Sequence, residues 1–224
     1  MWESEEKKVI ESKAEMIDVL YTIECTTLPY DHAFDLSNEI TKKLPWLIKN
    51  DLNGIQTLHG PESGNGWTRA ENETIFLSKR TKLILRISKD QIENAKELEN
   101  IKINIAGNIL KIKNLTLKPF SISRVLFCRC VLSDENIGEN EFLDNTFNQL
   151  KNYNITIKKS LCGKSRSITL DGKNNFTRSL MLAGLSREDS IKLQDIGIGR
   201  GRIFGCGIFL PHKSIDAVDN FKEE

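Results

Sequence analysis

The chain has 224 residues, 39% hydrophobic and 28% charged, with a formal net charge of +1, the composition of an ordinary globular protein long enough for two compact halves. No apolar run reaches membrane-spanning length, and Met1-Trp2-Glu3-Ser4-Glu5-Glu6 lacks a secretory pattern, so a cytoplasmic protein with no membrane partner is expected. The five cysteines are odd in number and form no Cys-x-x-Cys, which predicts reduced thiols and neither a metal nor a cofactor.

Residues 1–15 are mostly charged and read as an accessory extension. From Met16 to Cys25 the chain alternates, with Ile17, Val19, Tyr21 and Ile23 on one side and Asp18, Thr22 and Glu24 on the other, as a half-buried strand requires. Asp31 is placed to cap a helix whose apolar positions Ala33, Leu36, Ile40, Leu44 and Leu47 follow helical spacing, and Pro45 should end it near Leu44. A short strand at 54–60 and a polar loop at 61–66 follow. Ile75 to Ser88 reads as one two-faced strand, Leu83, Leu85 and Ile87 against Arg80, Lys82 and Arg86. A polar helix over 89–100 and a strand pair over 101–117, hinged at Gly107-Asn108, complete a β-α-β-β-α-β order.

The second half repeats that order without repeating the sequence. Val125 to Leu132 alternates, and Phe142, Leu143, Phe147 and Leu150 share a helix face. Strands are expected at 155–159, 166–170 and 178–185. Ser186 with Asp189 resembles a capping box, Gly197 is a fitting stop for the helix it opens, and Cys206 to Leu210 reads as the last strand. The fold class is therefore α+β: two tandem ferredoxin-like (RRM-like) βαββαβ domains, 16–119 and 120–213, with a polar tail at 214–224.

The near-zero net charge hides an asymmetry. Between Lys151 and Lys213 there are 12 Lys/Arg against 4 Asp/Glu, so the basic charge sits in the second half and predicts a polyanionic partner. The same half carries a glycine-rich loop at 197–207, Gly197-Ile198-Gly199-Arg200-Gly201-Arg202-Ile203-Phe204-Gly205-Cys206-Gly207. A dinucleotide fingerprint would need a strand before it and a helix after it, the reverse of the order here, and a Walker loop would need Gly-Lys-Ser/Thr at its end. Exposed amides beside Arg200 and Arg202 would suit a phosphate chain; a helix stop followed by a tight turn is the plainer alternative.

Gly-h-Gly, five residues and Gly-h-Gly, with h usually apolar, is the signature of the RAMP superfamily of CRISPR-associated RNA-binding proteins. Gly197-Ile198-Gly199 and Gly205-Cys206-Gly207 match it position by position. With Leu28-Pro29-Tyr30-Asp31-His32, Leu44-Pro45-Trp46-Leu47 and Leu77-Ser78-Lys79-Arg80-Thr81-Lys82-Leu83, the chain resembles the repeat-cleaving endoribonucleases of that superfamily, in particular the MYXAN-type branch. The resemblance implies a metal-independent nuclease of antiviral defence. It would cut precursor CRISPR RNA at a repeat stem-loop and keep the product within a surveillance complex of other subunits. A non-catalytic RAMP subunit that only holds guide RNA is the alternative, and a small-molecule-binding ferredoxin-like regulator is a third.

Metal-free RNA cleavage uses the 2′-hydroxyl as nucleophile, so a base must take its proton and an acid must protonate the leaving 5′-oxygen. Imidazole suits both steps. The chain has three histidines, His32, His59 and His212. His32 is the one that matches the position of the catalytic histidine in the resembled family, with Tyr30 beside it as an orienting group; taken without the resemblance, His32 is better explained by a hydrogen bond to Asp31. His59 is the runner-up. For RNA binding the expected residues are Arg200, Arg202, Gly199 and Gly201, then Lys158, Lys159, Lys164, Arg166 and Arg178, with Arg80, Lys82 and Arg86 extending the track. Trp67 and Phe204 are candidates for base stacking, although packing explains each equally well.

Overall fold

The computed structural model describes residues 14–60 and 74–212. The charged stretch 1–13, the expected loop at 61–66, Trp67 and the polar tail lie outside the described residues.

The first unit contains β1 (Met16–Glu24), β2 (Thr27–Pro29), α1 (Ala33–Lys43), β3 (Gly54–Ile55), β4 (Thr74–Phe76), β5 (Lys82–Ser88), α2 (Ile92–Ala95), β6 (Lys102–Ile105) and β7 (Asn108–Lys118). Its main sheet has the order β3-β5-β1-β7-β6, with β2 and β4 forming a separate pair. The alternation of β1 sets its antiparallel register against β5, so that Ile17, Val19 and Tyr21 stand opposite Ile87, Leu85 and Leu83. Leu36 and Ile40 of α1, with Leu44 and Leu47 beyond it, belong to the same core. Each such fully buried side chain contributes roughly 1.5–3 kcal/mol. The helix ends at Lys43, and Pro45 opens a short 3-10 turn, where its missing N–H costs no hydrogen bond.

The second unit contains β8 (Val125–Leu132), α3 (Glu139–Asn152), β9 (Lys159–Leu170), β10 (Lys173–Ala183), α4 (Arg187–Ile196) and β11 (Leu210–Pro211), with sheet order β11-β8-β10-β9. Both units thus have the ferredoxin-like arrangement, the first with β6 added at its edge. The cap expected at Ser186 forms: its hydroxyl accepts the Asp189 N–H at 3.0 Å. Gly197 closes α4 at φ 62°, a left-handed turn that favours glycine. Among the described residues no helix is long and apolar enough to cross a membrane.

Several elements differ from the sequence reading. Residues 75–88 are two strands, because Ser78 to Thr81 form a turn closed by a Thr81 N–H bond to the Ser78 carbonyl at 3.0 Å. Residues 155–158 are not in a strand; β9 instead runs unbroken from Lys159 and meets β10 at Asp171-Gly172, whose φ values of 50° and 70° suit a tight hairpin. The last strand shrinks to Leu210–Pro211, because Arg202–Phe204 is a 3-10 turn and Gly205 and Gly207 take positive φ, which no strand tolerates. Asp31 does not cap α1; its carboxylate accepts the Thr169 N–H of β9 at 2.8 Å, joining the helix start to the second unit.

Candidate nucleic-acid interface

The glycines of the 197–207 loop are explained by how closely its two arms cross. A Cβ on Gly207 would collide with the Ile198 carbonyl oxygen, and one on Gly197 with the Gly207 carbonyl oxygen. The Ile198 N–H donates to Gly207 at 3.1 Å across this contact. On the outer side, a Cβ on Gly205 would come 2.9 Å from Thr57 Cγ2, so the loop lies directly against the segment after β3. Phe204 stacks on Phe34 of α1 with ring centroids 6.1 Å apart, so this half-buried ring packs against the helix.

The loop's polar groups bond both within the loop and to α3 and β8. The Gly199 N–H donates to the Gln149 side chain at 3.1 Å, the Gly201 carbonyl accepts from Phe204 and Cys206, and the Gly207 N–H donates to Cys130. Of the two amides expected to meet phosphate, that of Gly199 is engaged by Gln149, and Gly201 uses its carbonyl to close the loop's turns. Arg202, one of the two arginines expected to bind RNA, is 8% exposed. Its guanidinium donates to the carbonyls of Gly199, Ile196 and Asp51, and burial lowers its pKa below the usual range. Arg200 remains exposed.

The same correction applies to Arg86 and Arg178. Arg86 is 1% exposed, because Asp18 opposite it in register binds its Nε at 2.8 Å and its Nη2 at 3.1 Å. Its Nη1 donates to the Gln194 carbonyl at 2.6 Å and the Phe209 carbonyl at 3.1 Å, both in the second unit. Arg178 donates to the Ile137 carbonyl at 2.8 Å and lies over Phe176, 5.0 Å from the ring centre. Lys158, Lys159, Lys164 and Arg166 are exposed, the last three on β9.

His32 sits at the start of α1, as expected, but it is 2% exposed. Its Nε2 accepts the Leu58 N–H at 3.0 Å, which leaves Nδ1 to donate to the Pro29 carbonyl at 2.8 Å and the Tyr30 carbonyl at 3.1 Å. Burial first, opposed by those carbonyls and by Asp31 and Asp35, lowers its pKa and favours this neutral form. Tyr30 is half-buried and packs against the core of the first unit.

One residue beyond Leu58 stands His59, and its ring is exposed. Its Nε2 lies 3.0 Å from Thr57 Oγ1. It lines a groove of about 310 Å³ with Gln56, Thr57, Arg80, Thr81 and Lys82. Lys82 also donates to the Thr22 hydroxyl at 2.9 Å, and Gln56 Nε2 is buried with no hydrogen-bond partner among the described residues. Desolvation by the surrounding protein, then the charges of Arg129, His32 and Arg166, push the His59 imidazole below its usual value. That shift favours the neutral imidazole.

His59 thus shares a groove with Arg80 and Lys82 of the first unit and feels the charges of Arg129 and Arg166 of the second. Arg129 was no candidate in the sequence, where it is a lone arginine in an apolar strand, and Gln56 gave no signal at all. His59 was weighed and set second because a histidine before Gly60-Pro61 looks like a turn residue. His212 lies beyond β11 with its ring edge-on to Phe127.

The sequence profile of the Cas6 CRISPR family matches residues 17–214 of this chain. The CRISPR-associated endonuclease Cas6 of Myxococcus xanthus (strain DK1622) is 28% identical over 195 residues, covering 87% of this chain and 81% of that protein. Among solved structures, one described as CRISPR associated protein Cas6 aligns with a TM-score of 0.62 at 13% identity, covering 89% of this chain and all of that one. Another, a RAMP protein binding different RNA substrates, aligns with a TM-score of 0.59 at 12% identity, covering 86% and 98%. At such identities these two structures speak for the shared fold.

Proposed function

The chain belongs to the Cas6 CRISPR family, and from that premise we propose that it is a metal-independent endoribonuclease that cuts precursor CRISPR RNA within its repeats at the His59 groove. The observation that carries this reading is an exposed imidazole in a groove that also holds Arg80 and Lys82, near enough to Arg129 and Arg166 of the second unit to feel their charges. The groove supplies what the reaction needs. A neutral imidazole accepts the 2′-hydroxyl proton as that oxygen attacks the adjacent phosphorus. Arg80, Arg129 and Arg166 stabilise the extra negative charge of the phosphorane. The 5′-oxygen takes a proton from solvent water as its bond to phosphorus breaks, so the products carry a 2′,3′-cyclic phosphate and a 5′-hydroxyl. The unpartnered Gln56 amide is a donor suited to a phosphate or ribose oxygen.

In this reading His32 acts through position. Both its nitrogens are engaged, and the bond it accepts from Leu58 fixes the backbone next to His59. Tyr30 contributes its carbonyl to the same hydrogen-bond set. The exposed lysines Lys158, Lys159 and Lys164, with Arg200, extend the cationic surface toward a repeat stem-loop, and retention of the cut RNA would deliver it to other subunits of a surveillance complex.

The test is cleavage of labelled repeat RNA. His59→Ala should lower the rate by about 100- to 10,000-fold while RNA binding persists, and EDTA should leave the wild type active. His32→Ala should lower both thermal stability and activity. If His59→Ala cuts at the wild-type rate, the base lies elsewhere. Tight binding of uncut RNA by the wild type would favour the non-catalytic RAMP role.

A further inference from the structure

Three of the five thiols converge behind the glycine loop. Cys128 and Cys130 lie on β8, and Cys206 comes from the turn after the Arg202–Phe204 helical turn. Cys130 Sγ and Cys206 Sγ lie 2.8 Å apart. That separation is less than an ångström longer than a disulfide bond, which is about 2.05 Å. The approach is imposed by the backbone: the Gly207 N–H donates to the Cys130 carbonyl at 2.7 Å, and the Cys206 N–H donates to the Gly201 carbonyl at 3.1 Å. With its neighbour bound to Cys130, Cys206 stays in contact with that thiol as long as the loop keeps its turns.

The two sulfurs differ in ways that define an order of reaction. Cys130 is partly exposed, whereas Cys206 is fully buried. The contact with Cys206, opposed by burial and aided by Thr177 and the charge of Arg166, lowers the Cys130 pKa and favours its thiolate. The same contact, followed by burial, raises that of Cys206. Cys128 is the bystander: burial pushes its thiol up to about 12, and its Sγ donates to the Cys130 carbonyl at 3.2 Å.

We propose that Cys130 and Cys206 are a modification site, an attacking and a resolving thiol that close an intramolecular disulfide on meeting a small disulfide oxidant such as glutathione disulfide. The Cys130 thiolate attacks one sulfur of the oxidant, forming a mixed disulfide and releasing one glutathione thiolate. The Cys206 sulfur then attacks the Cys130 sulfur as it gives up its proton, and the second glutathione leaves and takes that proton. Two protein thiols are oxidised and one glutathione disulfide is reduced to two thiols. The new bond ties the glycine loop covalently to the central strand β8. Because Gly205 backs onto Thr57 and Phe204 onto Phe34, it also braces the segment that carries His59.

The experiment treats the full chain with glutathione disulfide, alkylates the remaining thiols, and digests with trypsin without reduction. Cleavage after Arg129 and Arg202 places Cys130 in peptide 130–151 and Cys206 in peptide 203–213, with Cys128 apart in 125–129. A cross-link between 130–151 and 203–213 is expected, lost on reduction and absent from Cys130→Ser and Cys206→Ser. Should buried Cys206→Ser fail to fold, the partly exposed Cys130→Ser supplies the control. Full alkylation of both peptides, a glutathione adduct that persists on Cys130, or a cross-link through 125–129 would overturn the assignment.

Discussion

The seam between the two units and the groove beside it are both furnished with arginines, and they use them in opposite ways. In the seam, Arg86 gives its donors to the Asp18 carboxylate and two carbonyls of the second unit, with its guanidinium 4.5 Å from the Phe120 ring centre. Arg202 likewise binds carbonyls from both units. In the groove and on β9, Arg80 and Arg166 face solvent. A charge excess read from sequence adds both kinds together. Only burial separates cations that hold the fold from cations that can meet a phosphate.

The sharpest way to break that contrast is to remove one arginine from each region. Arg86→Ala leaves the Asp18 carboxylate buried and unpaired and should cost about 3–5 kcal/mol in urea unfolding, while Arg80→Ala should stay within about 0.5 kcal/mol of wild type. Similar losses would erase the distinction. A second comparison sets Gly207→Ala, whose Cβ meets a backbone carbonyl at φ 69°, against Gly172→Ala at φ 70°, whose Cβ meets nothing. The hairpin variant should lose about 1–2 kcal/mol for its left-handed backbone, and the loop variant clearly more, read from the same unfolding curves.

His32 sharpens the contrast through pH. Its folded pKa is lowered by burial, so below the unfolded value of about 6.5 the unfolded chain binds the proton more readily. The stability it contributes is complete above that pH and is lost as pH falls toward the folded pKa, with a slope of at most about 1.4 kcal/mol per pH unit for one group. His32→Gln should flatten the decline, while any part due to His59, shifted the same way, persists. Unfolding measured across pH 7 to about 5 checks this. The smallest effect is expected in RNA binding. Arg80→Ala and Arg166→Ala should each lower the salt-dependence slope by about 0.7 log units, and Arg202→Ala, if folded, should leave it unchanged.

Much of the fold was legible because it rests on periodicity. The alternation in β1 and β8, the helical spacing of α1, the Ser186 cap and the Gly197 stop all report local geometry. The 197–207 spacing was visible, but its physical reason was not: the glycines permit two arms to cross, and the Gly199 amide is taken by Gln149 of α3. Pairing across distance was the larger gap. The alternation that put Arg86 on the face opposite Leu85 and Ile87 was right, yet that face is covered by Gln194 and Phe209, more than 100 residues away in sequence. His32 was located correctly at the helix start, and its burial depends on Leu58, 26 residues later. His59, Arg129 and Arg166 converge only when both units are folded together.

The N-terminal edge of β1 gives this last point a wider meaning. The backbone N–H groups of Glu15 and Met16 donate to the Asp195 carboxylate near the end of α4, so the first strand is anchored by the last helix. Chain topology describes two modules that repeat a motif, yet severing them near Pro119 would take two carbonyl partners from Arg86 on one fragment and both amide partners from Asp195 on the other. The protein should therefore melt as a single cooperative body, and neither fragment should survive purification alone.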